Sequence, residues 1–236
     1  MTKRNVIITV VLMLLIIVST SFAADKYQWK LVDTEDGCQI YTSEVPGKDF
    51  IAAKATCLMP ARIEVVGTIL RDIENFPEWM QDCKATKMLK VIDDDKDVYI
   101  FWFRHGVMLP YSDRDLVLKS KSTYDVANGH IVINADLTNE IPYDAGKGYV
   151  RMPTFYSVYT LDWVDREHTK VTFMVDPDVG KSIPASVANM LIKTTPYKSL
   201  KRMMKMAKLS KYIEAAKTNK YGKIAEETAK AKAVSK

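Results

Sequence analysis

The chain has 236 residues and a formal net charge of +5. Its length suits one domain with a sizeable core, and its three cysteines are too few for a disulfide framework. The charge is unevenly placed: residues 25–192 hold 19 Lys and Arg against 26 Asp and Glu, whereas residues 193–236 hold 13 against 3. A basic segment after an acidic body predicts either contact with an anionic membrane surface or a solvated helix face.

The first residues are typical of a secretory signal peptide. Lys3 and Arg4 precede an uncharged apolar run from Val6 to Val18, and small residues surround Ala23. The run is shorter than the ~20 residues that a spanning helix needs, which favours a cleaved leader over a retained anchor. We therefore expect a signal peptide over residues 1–23 and a protein that is exported, most simply to the periplasm.

The pattern after the leader predicts a hairpin over 37–60, then a helix over 61–75. Six strands are expected at 86–92, 98–103, 113–124, 130–137, 154–163 and 170–176. A long amphipathic helix is expected from Ile183, with Ser182 as its cap and Pro196 as a residue that kinks or splits it. Residues 213–236 form a basic tail, rich in Ala and Lys, that is expected to be helical or disordered. Helices segregated from an antiparallel sheet define the α+β class.

The predicted hairpin brings two cysteines together. Cys38 and Cys57 lie at equal distances from the turn at 46–48, so they are expected opposite one another on the two strands. Export permits a disulfide between them. Free cysteine is also a common core residue, so the sequence leaves both states open.

Arg114 lies on the apolar face of a predicted strand. The two-residue period of a strand places it beside Leu116 and Leu118, while Asp115 and Lys119 share the opposite face. A buried guanidinium costs several kcal/mol unless something pairs with it. Its partner is therefore expected to be either a carboxylate of the protein or the polar head of an apolar ligand.

Three local sequences resemble the START family (steroidogenic acute regulatory-related lipid transfer domains) of the helix-grip superfamily. They are Phe76–Trp79 with the strand after it, Pro110–Val117, and Asp176–Pro184 with the helix after it. Their order is similar to that of the family from about residue 29 to residue 209. The resemblance implies a START-like domain over 24–212, in which a curved antiparallel sheet wraps a long C-terminal helix around an internal apolar tunnel that holds one lipid.

The resemblance also implies roles for single residues. Arg114 matches the family's buried arginine at the inner end of the tunnel, and Phe103 is expected where sterol-binding members often carry an acidic partner. An unpaired Arg114 would favour an anionic ligand such as a fatty acid or phospholipid. The expected ligand-binding residues are Arg114, Tyr99, Phe101, Phe103, Leu116, Leu118 and Tyr159, with Met190 and Leu191 on the lid helix.

Lipid entry requires a gate. The 138–148 segment has an apolar tip between flexible points, and the long helix has a basic face. The expected membrane-contact residues are Ile141 and Tyr143 of that segment and Lys201, Arg202, Lys205 and Lys208 of the helix.

No residue pattern indicates catalysis. There is no nucleophile motif or phosphate-binding glycine loop, and the clusters at 93–97 and 176–178 are more typical of turns than of calcium loops. We therefore expect a monomeric, non-enzymatic lipid-binding protein with no cofactor, metal or nucleic-acid partner. Two alternatives remain: an enzyme akin to the superfamily's polyketide cyclases and aromatases, using Tyr159, His105 and Arg114, or an envelope interaction module with a collapsed pocket.

Overall fold

The computed structural model describes residues 26–234, so the predicted signal peptide lies outside the described residues. Ten strands form one sheet. The strands are β1 Lys30–Glu35, β2 Cys38–Ser43, β3 Ala52–Met59, β4 Cys83–Asp93, β5 Val98–His105, β6 Asp113–Asp125, β7 His130–Leu137, β8 Tyr149–Arg151, β9 Thr154–Trp163 and β10 Thr169–Asp178. The helices are α1 Ile63–Arg71, α2 Phe76–Trp79, α3 Ala185–Met206, α4 Ser210–Thr218 and α5 Lys220–Val234, with a 3-10 turn at Ile73–Asn75.

The sheet runs in the order β1-β2-β3-β10-β9-β7-β6-β5-β4. All of these neighbours are antiparallel, and the short β8 pairs in parallel with the start of β6. Helices α1, α2 and α3 pack against one face of the sheet and cover the main core. This arrangement confirms the predicted α+β class and the helix-grip order.

The bulky residues on the two faces of β5 pack against different parts of the protein. Tyr99, Phe101 and Phe103 face the main core. Ile100 and Trp102 face the other way, where the 141–145 segment packs on them. The 138–148 segment, predicted as a gate, therefore covers the outer face of the sheet instead of the tunnel.

Helix α3 differs from its prediction at its start and at Pro196. The helix begins after Pro184, which takes the N-cap position expected for Ser182, and no side chain caps it. It continues past the buried Pro196, so the proline does not split it. Pro196 has no N–H to donate to the carbonyl of Ile192, and the hydroxyls of Thr195 and Ser199 donate to the nearby carbonyls of Leu191 and Thr195.

The C-terminal basic segment is folded. Helices α4 and α5 pack against α1 and bury Tyr212, Ala216, Tyr221, Ala225 and Thr228. The lysines lie between these buried positions and mostly face solvent. Within residues 26–234, no helix has both the length and the apolar character needed to cross a membrane.

The predicted facing cysteines are bonded. Cys38 of β2 pairs with Cys57 of β3 in the sheet register, and a disulfide joins them across the hairpin. Cys83 is buried and free.

Candidate functional site

Two chambers lie between the concave face of the sheet and the helices. Each contains about 690 Å³ of space between protein atoms, solvent at the openings included. They share four wall residues, Met80, Phe103, Phe155 and Phe173, so they lie side by side along one tunnel. We call the chamber toward α1 and α5 the inner chamber, and the chamber toward α3 the outer chamber.

The inner chamber is walled mainly by apolar side chains from α1, α2 and the middle of the sheet. Three serines, Ser120, Ser122 and Ser157, give it a band of small hydroxyl-bearing residues on β6 and β9. The other wall residues are Leu70, Arg71, Ile73, Phe76, Asp97, Tyr99, Phe101, Leu118, Ile133, Ala135, Tyr159 and Tyr221. Small side chains opposite bulky ones leave space that the core does not fill.

The outer chamber lies under the first turns of α3. Ala188, Leu191 and Ile192 of that helix form its roof, and Gln81, His105 and Thr195 are the polar side chains in its wall. The other wall residues are Val107, Leu116, Met152, Val175, Pro177, Val179 and Ile183.

The structure brings most of the predicted ligand-binding residues together. Those that line the inner chamber are Tyr99, Phe101, Phe103, Leu118 and Tyr159, and those that line the outer chamber are Phe103, Leu116 and Leu191. Met190 does not line the tunnel, because its side chain points outward and is 58% exposed. Arg114 lines neither chamber.

Arg114 is fully buried and is hydrogen bonded to the protein itself. Its Nε donates to the carbonyl oxygen of Val179 at 2.7 Å, and its two terminal nitrogens donate to the carbonyl of Ser112 at 2.6 Å and to Oγ of Ser182 at 2.7 Å. Among residues 26–234, no carboxylate forms an ion pair with it. The guanidinium thus ties the end of β10 to the start of β6.

His105, not Phe103, stands opposite Arg114. The β5–β6 register pairs His105 with Arg114 and Phe103 with Leu116, so the residue directly across from Arg114 is not the predicted Phe103. Burial lowers the pKa of His105, and the charge of Arg114 acts in the same direction. The residue facing Arg114 is therefore a neutral imidazole in the wall of the outer chamber.

Two buried polar atoms of the tunnel wall lack partners in the described residues. Gln81 donates from Nε2 to Asp82 at 2.6 Å, which turns its Oε1 inward without a donor. The hydroxyl of Tyr159, whose ring contacts those of Trp79 and Phe173, is also unpaired, and burial raises its pKa well above the usual value. Unpaired buried polar atoms are costly, so each is suited to a polar atom of a ligand.

A buried carboxylate closes the far end of the inner chamber. Asp97 accepts hydrogen bonds from the hydroxyls of Tyr99 at 2.8 Å and Tyr221 at 2.6 Å, and also from Tyr124. Lys220 pairs with the same carboxylate. The sequence indicated only a turn here, because these partners come from β5, β6 and α5.

The predicted membrane-contact residues are dispersed. Ile141 and Tyr143 pack on Trp102 at the outer face of the sheet. Lys201 pairs with Asp36 at 2.8 Å. The remaining three, Arg202, Lys205 and Lys208, are exposed on α3 and just after it.

Exposed apolar side chains that the sequence did not predict as a surface form an apolar rim beside the outer chamber. Val107 lines that chamber, and the next two residues, Met108 and Leu109, point away from the protein, with Leu109 92% exposed. Met190 is likewise exposed next to Leu191, which lines the chamber.

Of the three residues named for an enzyme, His105 and Arg114 are cross-strand neighbours, whereas Tyr159 lies apart from them. Tyr159 lines the inner chamber, His105 lines the outer chamber, and Arg114 lines neither. Within the part of the chain that the structure describes, no three His, Cys, Asp or Glu side chains are placed to hold a metal ion.

Comparison with known proteins agrees with the fold described above. The family model described as START domain matches residues 15–212. An uncharacterised protein of Pseudomonas aeruginosa is 28% identical over 181 residues, which cover 76% of this chain and 86% of that protein.

Solved structures show the same fold. A STAR-related lipid transfer protein from Xanthomonas axonopodis is 26% identical and superposes with a TM-score of 0.68, covering 77% of this chain and 99% of that one. Human STARD10 is 18% identical with a TM-score of 0.68, covering 81% of this chain and 76% of that one.

Proposed function

Because the chain belongs to the START domain family, we propose that it binds one hydrophobic molecule in its tunnel and carries it between membranes of the cell envelope. The observation that carries the proposal is the pair of adjoining chambers walled by apolar side chains. Burial of an alkyl chain contributes about 0.8 kcal/mol per methylene, so such a tunnel binds tightly without a catalytic group.

A neutral polar group on the ligand suits this tunnel better than an anionic one. The preference for an anion depended on a free Arg114, and that guanidinium already donates to Val179, Ser112 and Ser182. In the outer chamber, Oε1 of Gln81 needs a donor. A ligand hydroxyl or amide N–H supplies one, whereas a carboxylate or phosphate does not.

Contact with an anionic membrane is part of the proposal. Met108, Leu109 and Met190 form an apolar rim beside the outer chamber, and the exposed Arg202 and Lys205 lie farther along α3. An apolar tip together with basic residues is suited to a bilayer surface. The leader-like N-terminus supports export, and an exported protein would meet the membranes of the envelope.

Native mass spectrometry after gentle purification tests the proposal. The expected result is a monomer that carries one added mass, released on denaturation as a lipid. An empty protein that takes up no lipid from vesicles would contradict the proposal and favour the interaction module. A ligand that is converted into a new compound would favour the cyclase-like alternative.

A further inference from the structure

The inner chamber is closed by a residue from outside the segment that matches the family model. That match ends at residue 212, whereas Tyr221 belongs to α5. Its side chain is 2% exposed and lines the inner chamber. The C-terminal helices therefore complete a wall of the tunnel.

The turn between α4 and α5 fixes the position of Tyr221. Oδ1 of Asn219 accepts hydrogen bonds from the backbone N–H of Tyr221 at 2.9 Å and of Gly222 at 3.3 Å. Its Nδ2 donates to Oγ1 of Thr68 on α1 at 2.7 Å. A Cβ at Gly222 would lie 2.4 Å from the carbonyl oxygen of Ala216, so the turn requires a glycine there.

Helix α1 has a matching gap. Gly67 lies in the interior of that helix, where glycine costs about 0.5–1 kcal/mol relative to alanine. A Cβ at this position would lie 2.6 Å from Cδ1 of Tyr221. The glycine is therefore explained by the ring that packs directly against the helix backbone.

The tyrosine is also held at its hydroxyl end. Its Oη donates to Asp97, which Tyr99, Tyr124 and Lys220 bind as well. Lys220 and Arg71 compensate the charge of the carboxylate, Arg71 also pairs with Asp94, and the three tyrosine hydroxyls are hydrogen bonded to Asp97. The charged groups at this end of the chamber are therefore paired with one another, and the rings of Tyr99 and Tyr221 complete its wall. Such a surface suits the terminal methyl group of an alkyl chain better than a polar head.

We propose that Tyr221, anchored on Asp97 and seated on Gly67, forms the closed end of the inner chamber and sets the length of alkyl chain that the tunnel accepts. The inference rests on the proposed binding of a hydrophobic ligand. It gives the C-terminal helices a role in selectivity.

Competition with straight-chain alcohols tests the inference. The series from octanol to octadecanol would displace the fluorescent probe N-phenyl-1-naphthylamine from the full chain. For the wild type we expect affinity to rise with chain length and then to fall. In Tyr221→Ala the fall should come later, and affinity for the first alcohol beyond the wild-type optimum should rise about tenfold, which corresponds to roughly two further buried methylenes. Tyr221→Leu should give a smaller shift in the same direction. It replaces the alanine variant in the test if that variant fails to fold.

Two variants separate the ring from its surroundings. Tyr221→Phe keeps the ring and should keep the wild-type optimum. Tyr212→Ala removes another buried tyrosine of the same helices, one that bonds Asp72 and lines neither chamber, and it should also keep the optimum.

The outcomes distinguish the two proposals. If no alcohol displaces the probe from the wild type, the proposed hydrophobic ligand binding fails. If alcohols bind but folded Tyr221→Ala and Tyr221→Leu keep the wild-type optimum, or Tyr212→Ala shifts it equally, only the role of Tyr221 is overturned.

Discussion

Nε of Arg114 lies 2.7 Å from the carbonyl oxygen of Val179, so a buried charge of β6 fastens the chain where β10 leads into α3. The guanidinium reaches Ser182 in the same connection. That connection precedes the helix that roofs the outer chamber. The geometry therefore favours a structural role for Arg114 over direct contact with a ligand.

Arg114→Leu should destabilise the fold. The change leaves two carbonyl oxygens without their donor, and we expect a loss on the order of 3 kcal/mol in the free energy of unfolding. Urea denaturation measures it. Arg104→Leu is the matched control on the neighbouring strand, because its ion pair with Asp113 is partly exposed and should contribute about 1 kcal/mol or less. Unchanged stability with a lost preference for anionic lipids would restore the head-group role.

The disulfide should stabilise the N-terminal hairpin. Cys38 and Cys57 are 19 residues apart, and closing a loop of that size in the unfolded chain contributes about 3 kcal/mol. A Cys38→Ser, Cys57→Ser double variant should lose that amount in chemical denaturation and become insensitive to reducing agent. Cys83→Ser should remain sensitive to reducing agent, since it keeps the Cys38–Cys57 disulfide and removes a cysteine that takes no part in it. Equal stability of the wild type with and without reductant would contradict the prediction.

Asp97→Asn should loosen α5. The neutral side chain no longer compensates Lys220 and accepts fewer hydrogen bonds from the three tyrosines, so we expect a loss of about 3 kcal/mol. Hydrogen exchange should accelerate across residues 220–234. Asp95→Asn is the control, because that residue is exposed in the same turn and the variant keeps the backbone oxygen to which Lys220 donates. Unchanged protection in Asp97→Asn would mean that packing alone holds the helix.

His105 should make stability fall in mild acid. Its pKa is lowered in the folded protein, so below about pH 6.5 the unfolded chain binds the proton more readily than the folded one. The stabilisation is complete above that pH and is lost as the pH falls toward the folded pKa. The midpoint of thermal unfolding should therefore drop between about pH 7 and 5.5, and His105→Gln should flatten this drop.

The surroundings of His105 define the control. The charges that act on its imidazole are those of Asp82, Asp113, Arg114 and Lys84, and the variant leaves all four in place. His168→Gln removes a surface imidazole beside Asp165 and should keep the wild-type slope. If both variants keep the slope, acid sensitivity arises from groups other than these two imidazoles.

Lipid transfer should depend on the charge of the membrane. Each Lys or Arg near an anionic surface contributes roughly 1 kcal/mol, so transfer from anionic vesicles should be faster than from neutral ones and should slow with salt. A variant with Gln at Lys201, Arg202, Lys205 and Lys208 should transfer more slowly and bind lipid equally well. Gln at Lys217, Lys223, Lys230 and Lys232 of α4 and α5 is the control matched in charge. Equal rates from neutral and anionic vesicles would leave the basic face without a role in docking.

The strands that could be predicted from the sequence are those with a hydrophobic pattern within their own residues. All six strands of the predicted meander are present, because each alternates or is continuously apolar over its own length. Strand β1 was missed since all six of its residues are exposed and show no buried face. Strand β8 was missed because it has three residues and is defined by its pairing with β6.

The site depended on contacts between distant parts of the chain. Alternation correctly predicted that Arg114 is buried, but its partners Val179 and Ser182 lie far along the sequence and have no carboxylate. Similarly, Asp97 was interpreted as a turn residue because Tyr221 approaches it only in the folded chain. Local patterns predict which side chains are buried, whereas the partner of each buried charge requires the tertiary structure.

The pairing of β3 with β10 has a consequence for the order of folding. It aligns Met59 with Thr169, so the N-terminal hairpin joins the rest of the sheet through strands that are far apart in the chain. The contacts from β4 to β7 form between sequence neighbours, whereas this junction must close a loop that contains the whole meander. The disulfide links β2 to β3 within the hairpin, but the hairpin cannot join the sheet until β10 is in place beside β3. Completion of the tunnel therefore waits for the C-terminal quarter of the protein, which also supplies the roof in α3 and the tyrosine in α5.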